Sequence, residues 1–527
     1  MNETKDFIIV GAGPAGLQLG YYLQQSGRSH LILEAGESPG TFFRKFPRHR
    51  TLISINKVYT GFDDPEINLR WDWNSLLGDS NAPLFKNYTK QYFPKGDEMV
   101  RYLTDYVRHH ELDIKCGTSV VSVARDGDGF RLTDQRGENY RCQRLVIATG
   151  FTRPYVPSIP GIELTENYCD VSVDSEEFIN QKVLIIGKGN SAFETADNLV
   201  STAAVIHIAS PNSVKMAWKT HFVGHLRAVN NNVLDSYQLK SQNALLDASI
   251  DGIRRREDGK LVVSMSYAHA GDEQEDLIYD RVITCTGFSF DASIFEEDCR
   301  PRLTIKDRFP EQTSEWESTN VKDLYFAGTL MQMRDFKKTT SGFIHGFRYN
   351  VRALSHILGR KYYDEQWPSR ALSASAESLT DAVIERVNRT SALWQQFGFL
   401  CDLIVVPDDG GAARYYEELP VDYIRTSDFG AHRHYYTVTL EYGPEDAFED
   451  PFGAKRISRD DVERSHQSNF LHPIVRRFSA GELICEHHII EDLAAEWTED
   501  VHVKPLLGLF TEELGQHAAR IQAGPNS

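Results

Sequence analysis

At 527 residues the chain has room for about three domains, and 41% hydrophobic against 25% charged residues is the balance of a globular protein. A formal charge of −18 argues against a nucleic-acid partner, which selects a basic surface. No apolar run approaches the roughly 18 residues needed to span a bilayer, and the first strand begins too early for a secretory leader, so a cytoplasmic protein free of the membrane is expected.

The apolar run Asp6–Val10 leads directly into Gly11-Ala12-Gly13-Pro14-Ala15-Gly16. In such a turn the first glycine makes the tight bend and the second lets backbone approach a pyrophosphate. The third lets helix and strand pack closely, and the phosphates sit on the positive end of the following helix. The context is complete: an amphipathic stretch from Pro14 to Gln25, then a second strand, Leu31–Leu33, ending in Glu34. Glu34 stands at the end of that second strand, where a carboxylate holds adenosine ribose hydroxyls. Further on, a strand-rich stretch runs from Ile114 to Leu132, and the first unit closes on Arg144–Gly150 with the small turn Thr149-Gly150. Pro154–Gly161 reads as a linker.

The same turn recurs well downstream, as Gly187-Lys188-Gly189-Asn190-Ser191-Ala192 after the run Lys182–Ile186. Its unit closes on the analogous Arg281–Gly287. Two such turns imply two dinucleotides, and hence a flavin (FAD) reduced by a nicotinamide. The strand Val205–Ala209 ends in Ser210 rather than an acid, with Lys215 and Lys219 following, which favours NADPH over NADH. Next comes Asp323–Thr329, with the turn Gly328-Thr329. Thr340-Ser341-Gly342-Phe343 then opens an amphipathic stretch to about Leu358. These segments would complete the flavin site from a distance. The expected fold is therefore α/β: two Rossmann-type dinucleotide-binding domains, the FAD domain split by an inserted NADPH domain, plus an α+β C-terminal domain. The expected boundaries are 1–170 and 291–360 for FAD, 171–290 for NADPH and 361–527 for the last domain.

That last third carries 15 Lys and Arg against 29 Asp and Glu, and so 14 of the 18 net negative charges. A helix is expected around Ser378–Gln396, strands at Leu403–Val406 and His434–Leu440, and a helix around Ile489–Glu496. Its histidines 432, 434, 466, 472, 487 and 488 have no ligand spacing, so no metal is expected. Cys116, Cys142, Cys169, Cys285, Cys299, Cys401 and Cys485 include no closely spaced pair, which excludes the local dithiol of a disulfide relay.

These residues resemble the two-dinucleotide flavoproteins, and among them the class B flavin-dependent monooxygenases, whose first turn binds FAD and whose Gly-x-Gly-Asn-Ser turn binds NADPH. Longer blocks are similar to the family of the endoplasmic-reticulum flavoprotein associated with degradation, an FAD-dependent oxidoreductase domain family. They are Phe46–Arg50, Leu52–Gly61, Asn68–Leu77, Gly189–Ala196 and Asn230–Lys240. The resemblance implies that Ala35, Thr41, Phe42, Arg50, Leu52 and Val120 belong to the FAD site. It puts Asn56 over the flavin, in preference to Ser54 or Lys57. It also implies that the loop Arg334–Lys338 passes the reactive ring, making Arg334 and Lys337 candidates to meet a substrate carboxylate; His345, next on the helix, reads as a core histidine. One departure is plain: where the monooxygenase signature Phe-x-Gly-x-x-x-His is expected, Leu164–Asp170 has Glu166 for the glycine and Asp170 for the histidine.

The function expected is a single-component monooxygenase of the N-hydroxylating type, using FAD, NADPH and O₂ through a C4a-hydroperoxide. Its substrate would be a small amino- or carboxylate-bearing molecule. The alternatives are an NADPH-dependent reductase or dehydrogenase of thiols or quinones, and a flavin-containing binding or redox-sensing protein. A homodimer is compatible with all three.

Overall fold

The computed structural model of the chain describes residues 3–238, 242–409, 411–444 and 456–523. The end of the Asn230–Lys240 block lies outside them.

The buried strand Lys5–Val10 organises the first sheet, pairing in parallel with His30–Leu33 on one side and Asn139–Ile147 on the other. Continuous apolar runs such as Phe7-Ile-Ile-Val10 suit a parallel strand covered on both faces. Asn139–Ile147 is long enough to serve two further neighbours along its remaining edge. Its first half pairs antiparallel with Gly129–Asp134, and its last three residues pair in parallel with Leu324–Phe326. A strand that follows the whole second unit in sequence therefore completes the first sheet.

The second sheet repeats the plan around Lys182–Ile186, flanked in parallel by Val205–Ser210 and Arg281–Thr284. Ala244–Arg255 follows in parallel, with Leu261–Tyr267 and Gln274–Tyr279 added antiparallel. The two passages between the sheets lie side by side: Arg153–Pro154, at the head of the expected linker, pairs antiparallel with Phe288–Ser289.

Beyond the helix Ile344–Tyr363 the chain forms a six-stranded antiparallel sheet. Its strands run in the order Ser369–Leu372, Ala413–Pro420, Leu400–Val405, Tyr435–Glu441, His472–Ser479, Glu482–His488. The helices Ala376–Arg389 and Asp500–Ala523 pack together beside it. Two sequence expectations need correction here. The helix expected over Ser378–Gln396 breaks at Thr390, where the Arg70 guanidinium takes the carbonyls of Val387 and Thr390 at 3.0 and 2.9 Å, and resumes as Ala392–Gln395. No helix forms over Ile489–Glu496. The buried Glu491 carboxylate there accepts N–H groups from Ile457, Asn469 and Phe470, and the helix starts later, at Asp500. Among the described residues no helix is long and apolar enough to cross a membrane.

The C-terminal region is joined to the first unit through polar contacts onto residues 64–75. Arg348, fully buried, donates to the carbonyls of Leu69, Asp72 and Ser75 at 2.8–2.9 Å. Gln395 donates to Arg70 O, Ser391 to Glu66, and Arg389 pairs with Asp64 at 2.8 Å. Behind them Arg386 bridges Asp402 and Glu418, and Glu418 also pairs with Arg352.

Arg348→Met keeps the packing volume but strands three buried carbonyls. At about 1–3 kcal/mol for each unsatisfied group, a loss of at least about 3 kcal/mol is expected. Denaturant unfolding measures it, and a loss below about 1 kcal/mol contradicts the anchoring role. A second prediction concerns Glu194, buried on the helix Asn190–Leu199 with the Tyr168 hydroxyl donating to it. Burial lifts its carboxyl to about 7, against the pull of Tyr168 and Arg48. The folded state then holds a proton that the unfolded state releases near pH 4.5, so stability falls as pH rises from about 4.5 to 7, by on the order of 3 kcal/mol in all. Glu194→Gln keeps the acceptor and removes the charge, so unfolding midpoints measured from about pH 5 to 8 should flatten and rise at the alkaline end; an unchanged profile rejects the assignment.

Candidate active site

At the first turn Gly11 has φ +107°, and a Cβ there would stand 2.7 Å from Ala148 O. A Cβ on Gly16 would run into Gly11 O, whereas one on Gly13 would meet nothing within 4 Å. The helix Pro14–Gln25 starts there with Pro14 in its first turn and no capping side chain, so its positive end opens onto that space. Glu34 is buried beside the turn, its two oxygens accepting the N–H groups of Ala12 (2.7 Å) and Gly36 (2.8 Å). Gly40 N–H donates to Ala12 O at 3.0 Å, which brings Thr41 and Phe42 to the turn, while Ala35 is exposed. Val120 begins its strand just after Thr118, whose N–H donates to Glu34 O. Two more turns close on the same place. A Cβ on Gly328 (φ +78°) would lie 2.7 Å from Ala15 Cβ, and one on Gly150 (φ +66°) 3.1 Å from Thr329 Oγ1. Leu52 is buried on the neighbouring loop, its N–H on Pro94 O, and Arg50 is held by Phe43 O and Asp97.

The second turn has the same construction. Gly187 (φ +124°) presses against Cys285 O, Gly189 faces open space at another helix start without a capping side chain, and Ala192 is buried. The Asn190 side chain acts as a latch. Its Nδ2 donates to Gly224 O and His225 O, and its Oδ1 accepts from Arg227 N–H and Asn230 Nδ2. Ser191 lines a small recess with Cys169, Cys285 and Gly287, and burial pushes both thiols up. Ser210 donates to Asn212 O, and Lys188 binds the carbonyls of Ser210 and Asn212 and pairs with Asp247 on the adjoining strand. A cationic group gathers between the units. Gly287 (φ +85°) abuts Arg308, and Lys337 is lowered by burial and then by Arg308, Lys215 and Lys306. His225 beside it drops to about 4 through burial and the charges of Lys337 and Lys215.

The third helix start, at Ile344, is preceded by Gly342, packed on the Gln332 amide, and Phe343, which meets Phe222 at 5.9 Å. His345 stacks on Trp73 (4.2 Å) and lies beside Phe343 (5.9 Å), and the Arg227 guanidinium covers Trp73 at 5.1 Å. His345 is 1% exposed and neither ring nitrogen has a hydrogen-bond partner, so it is not the satisfied core histidine expected. Burial, with the Arg348 and Arg227 charges, holds it well below its ordinary pKa and therefore neutral. Asn56 spends its Nδ2 on Thr89 O and Gln91 O, leaving a buried Oδ1 unpartnered. Gln332 Nε2, Asp335 Oδ1 and Arg227 Nη1 are buried and unpartnered too. Buried polar atoms of this kind are uncommon in a folded chain.

Arg334 must be corrected. Its side chain is 4% exposed and committed to Ser314 O (2.6 Å) and Asp422 (3.1 Å), because the short helix Gly328–Met333 turns it toward the C-terminal region. It is not available to a substrate carboxylate. Lys337, one turn further on, is exposed and belongs with the cations between the units. Ser54 is tied to Asn74, and Lys57 N–H to Trp71 O. The departing signature residues serve as ion-pair partners: Glu166 with Arg281 across neighbouring strands, and Asp170 with Lys45. Trp73 falls in the block Asn68–Leu77 that carries the family resemblance, whereas Phe222 and Arg227 give no sequence signal, since each is one residue in an unpatterned loop. None of the six C-terminal histidines joins a metal-like cluster among the described residues.

Residues 8–328 match the family described as pyridine nucleotide-disulphide oxidoreductase. FAD-dependent oxidoreductase domain-containing protein 2 of Mus musculus is 37% identical over 95% of this chain and 83% of its own length. Two solved structures share the fold over 68% of the chain. A flavin-containing monooxygenase from Stenotrophomonas maltophilia has TM-score 0.53 at 20% identity, with 98% of its length covered. The bacillithiol disulfide reductase Bdr (YpdA) from Staphylococcus aureus has TM-score 0.52 at 19% identity, with 100% covered. FAD and NADP(H) binding are typical of this family. With its paired glycine turns and doubled parallel sheets, the chain belongs to the pyridine nucleotide-disulphide oxidoreductase family and is a flavin-dependent oxidoreductase.

Proposed function

We propose that the chain binds FAD at the first turn and NADPH at the second, and that it oxygenates a small amine with O₂. The fit rests on the open space at Gly13 and Gly189, each before a helix start without a capping side chain. A methyl group at either position would enter the volume that a pyrophosphate needs. Support comes from Glu34, whose two N–H bonds leave lone pairs free for ribose hydroxyls. On this reading residues 1–170 and 291–360 form one FAD unit, 171–290 the NADPH unit, and 361–527 a separate domain that buttresses the first. FAD, when bound, supplies the hydride acceptor and the site of oxygen activation.

The observation that carries the oxygenation reading is His345: neutral, fully buried, unpartnered at both nitrogens and walled by Trp73 and Phe343. A neutral, unpartnered imidazole in a dry aromatic wall offers a ring nitrogen that accepts a hydrogen bond from the N–H of an amine already free of its ammonium proton, and so orients it. Phe222 and Phe343 exclude water from the same place. Cys169 and Cys285 share a recess but do not compete for the role. The cysteines near the second turn are buried and pushed away from the thiolate form, which disfavours a thiol relay. With Arg334 committed to Asp422, the substrate is assigned by its amine rather than by a carboxylate.

The test is NADPH oxidation measured with a panel of primary amines, scoring hydroxylated product against hydrogen peroxide. His345→Ala should keep flavin content and lose at least tenfold in product while peroxide rises; His345→Gln, which keeps an acceptor, should recover part of the loss. Oxidation that ignores every amine and yields only peroxide in the parent enzyme rejects the reading.

Lys215, Arg308 and Lys337 supply the charge for a ribose 2′-phosphate, and Lys188 neutralises the nearby Asp247. Flavin reduction by NADPH should therefore exceed that by NADH at least severalfold, since one hydrogen bond to a charged group contributes about 1.5–3 kcal/mol. Lys215→Ala should narrow the gap, and equal rates in the parent enzyme refute the preference.

A further inference from the structure

The helix Gly96–His110 ends in two histidines that face the loop following Leu77. His109 Nε2 lies 3.4 Å from each carboxylate oxygen of Asp79, and His110 Nδ1 lies 3.8 Å from Asp79 Oδ2. One donor atom from each of the three residues falls within 4.8 Å of the other two. Direct N–H···O bonds prefer about 2.7–3.2 Å, so these separations are long for hydrogen bonds. They are close to the roughly 3.3–3.5 Å between ligand atoms on a tetrahedral ion with bonds of about 2.0–2.1 Å.

The cluster is held in place by its surroundings. The His110 side chain is 3% exposed and its ring lies between Tyr21 (4.4 Å) and Tyr106 (4.5 Å). It makes no hydrogen bond, and its buried Nε2 is unpartnered beside Gly78. Asp79 Oδ1 accepts Asn81 N–H at 2.8 Å, which orients the carboxylate, and Gln24 pins the His110 carbonyl at 2.6 Å. The negative end of the helix dipole points at the same spot and favours a cation. Asp79 and His109 are solvent-accessible, which gives an ion a way in.

We infer that Asp79, His109 and His110 form a binding site for a first-row divalent cation, with zinc the best match to two imidazoles and one carboxylate. Water completes the shell, and the bound ion fastens the loop to the helix end. None of the three residues belongs to the cleft between the dinucleotide turns, so the site is independent of the proposed reaction.

The test uses the full chain with its flavin, stripped with chelator and titrated with zinc sulfate by calorimetry, and with cobalt(II) for its absorption. One saturable equivalent is expected, with a raised unfolding midpoint and tetrahedral-type cobalt bands. His109→Ala and Asp79→Asn should each weaken zinc at least tenfold and abolish the midpoint shift, while NADPH oxidation stays at the parent level. His466→Ala, at an exposed C-terminal histidine, should change nothing. The inference is overturned by the absence of saturable binding, or by binding that survives both Asp79→Asn and His109→Ala.

Discussion

Where the helix Pro14–Gln25 leaves its strand, the backbones of three distant segments come into contact, and nothing larger than hydrogen fits between them. Gly16 lies on Gly11 O, Gly11 on Ala148 O, and Gly328 on Ala15. These approaches fix the distance between the first phosphate turn, the end of the first unit and the segment that returns after the second. Because Leu324–Phe326 is hydrogen-bonded to Asn139–Ile147, the returning turn is delivered by a strand rather than a free loop. The helix that carries His345 packs against the helix Pro14–Gln25 and so takes its position from this junction. A side chain at any of these glycines would open the junction before it changed any chemistry.

The C-terminal region is fastened by charge as much as by apolar packing. Arg348, Arg70 and Gln395 exchange hydrogen bonds with main-chain carbonyls, and Arg386, Arg352, Asp402 and Glu418 form a buried ionic group behind them. Buried ion pairs repay their desolvation only when every member is well bonded. Here Arg386 is bonded to both Asp402 and Glu418, and Glu418 in turn to Arg352, so each buried charge has a partner. The acidic excess of this third is thus not all solvated surface: Asp402, Glu418 and Glu491 are interior ligands for arginines and backbone N–H groups.

Two solved structures with different named activities share this fold to a similar degree, so the fold does not select the chemistry. The side chains at the cleft do. The positions that depart from the monooxygenase signature are occupied by ion-pair partners, Glu166 bonded to Arg281 on the neighbouring strand and Asp170 to Lys45 at the end of the short helix Thr41–Lys45. Among the unpartnered buried polar atoms, those of His345 and Arg227 lie together around Trp73 and form an interior surface that no single sequence motif spells out.

The sequence by itself determined the two strand–turn–helix units, because a glycine turn after an apolar run is a local event written in consecutive residues. The helix Pro14–Gln25 and the strands Lys5–Val10 and Lys182–Ile186 fall where the pattern puts them. The end of the helix near Thr390 and the coil at Ile489–Glu496 are not legible there, since a distant arginine and a buried glutamate set them. The same holds for the cleft. The turn pattern says nothing of where the Asn190 side chain goes, and it latches Gly224–Asn230; the family resemblance aims Arg334 at substrate, whereas it pairs with Asp422. Local chain geometry is fixed by neighbours in sequence, whereas the direction and partner of a long polar side chain depend on which surfaces meet in space, and only the tertiary structure decided that.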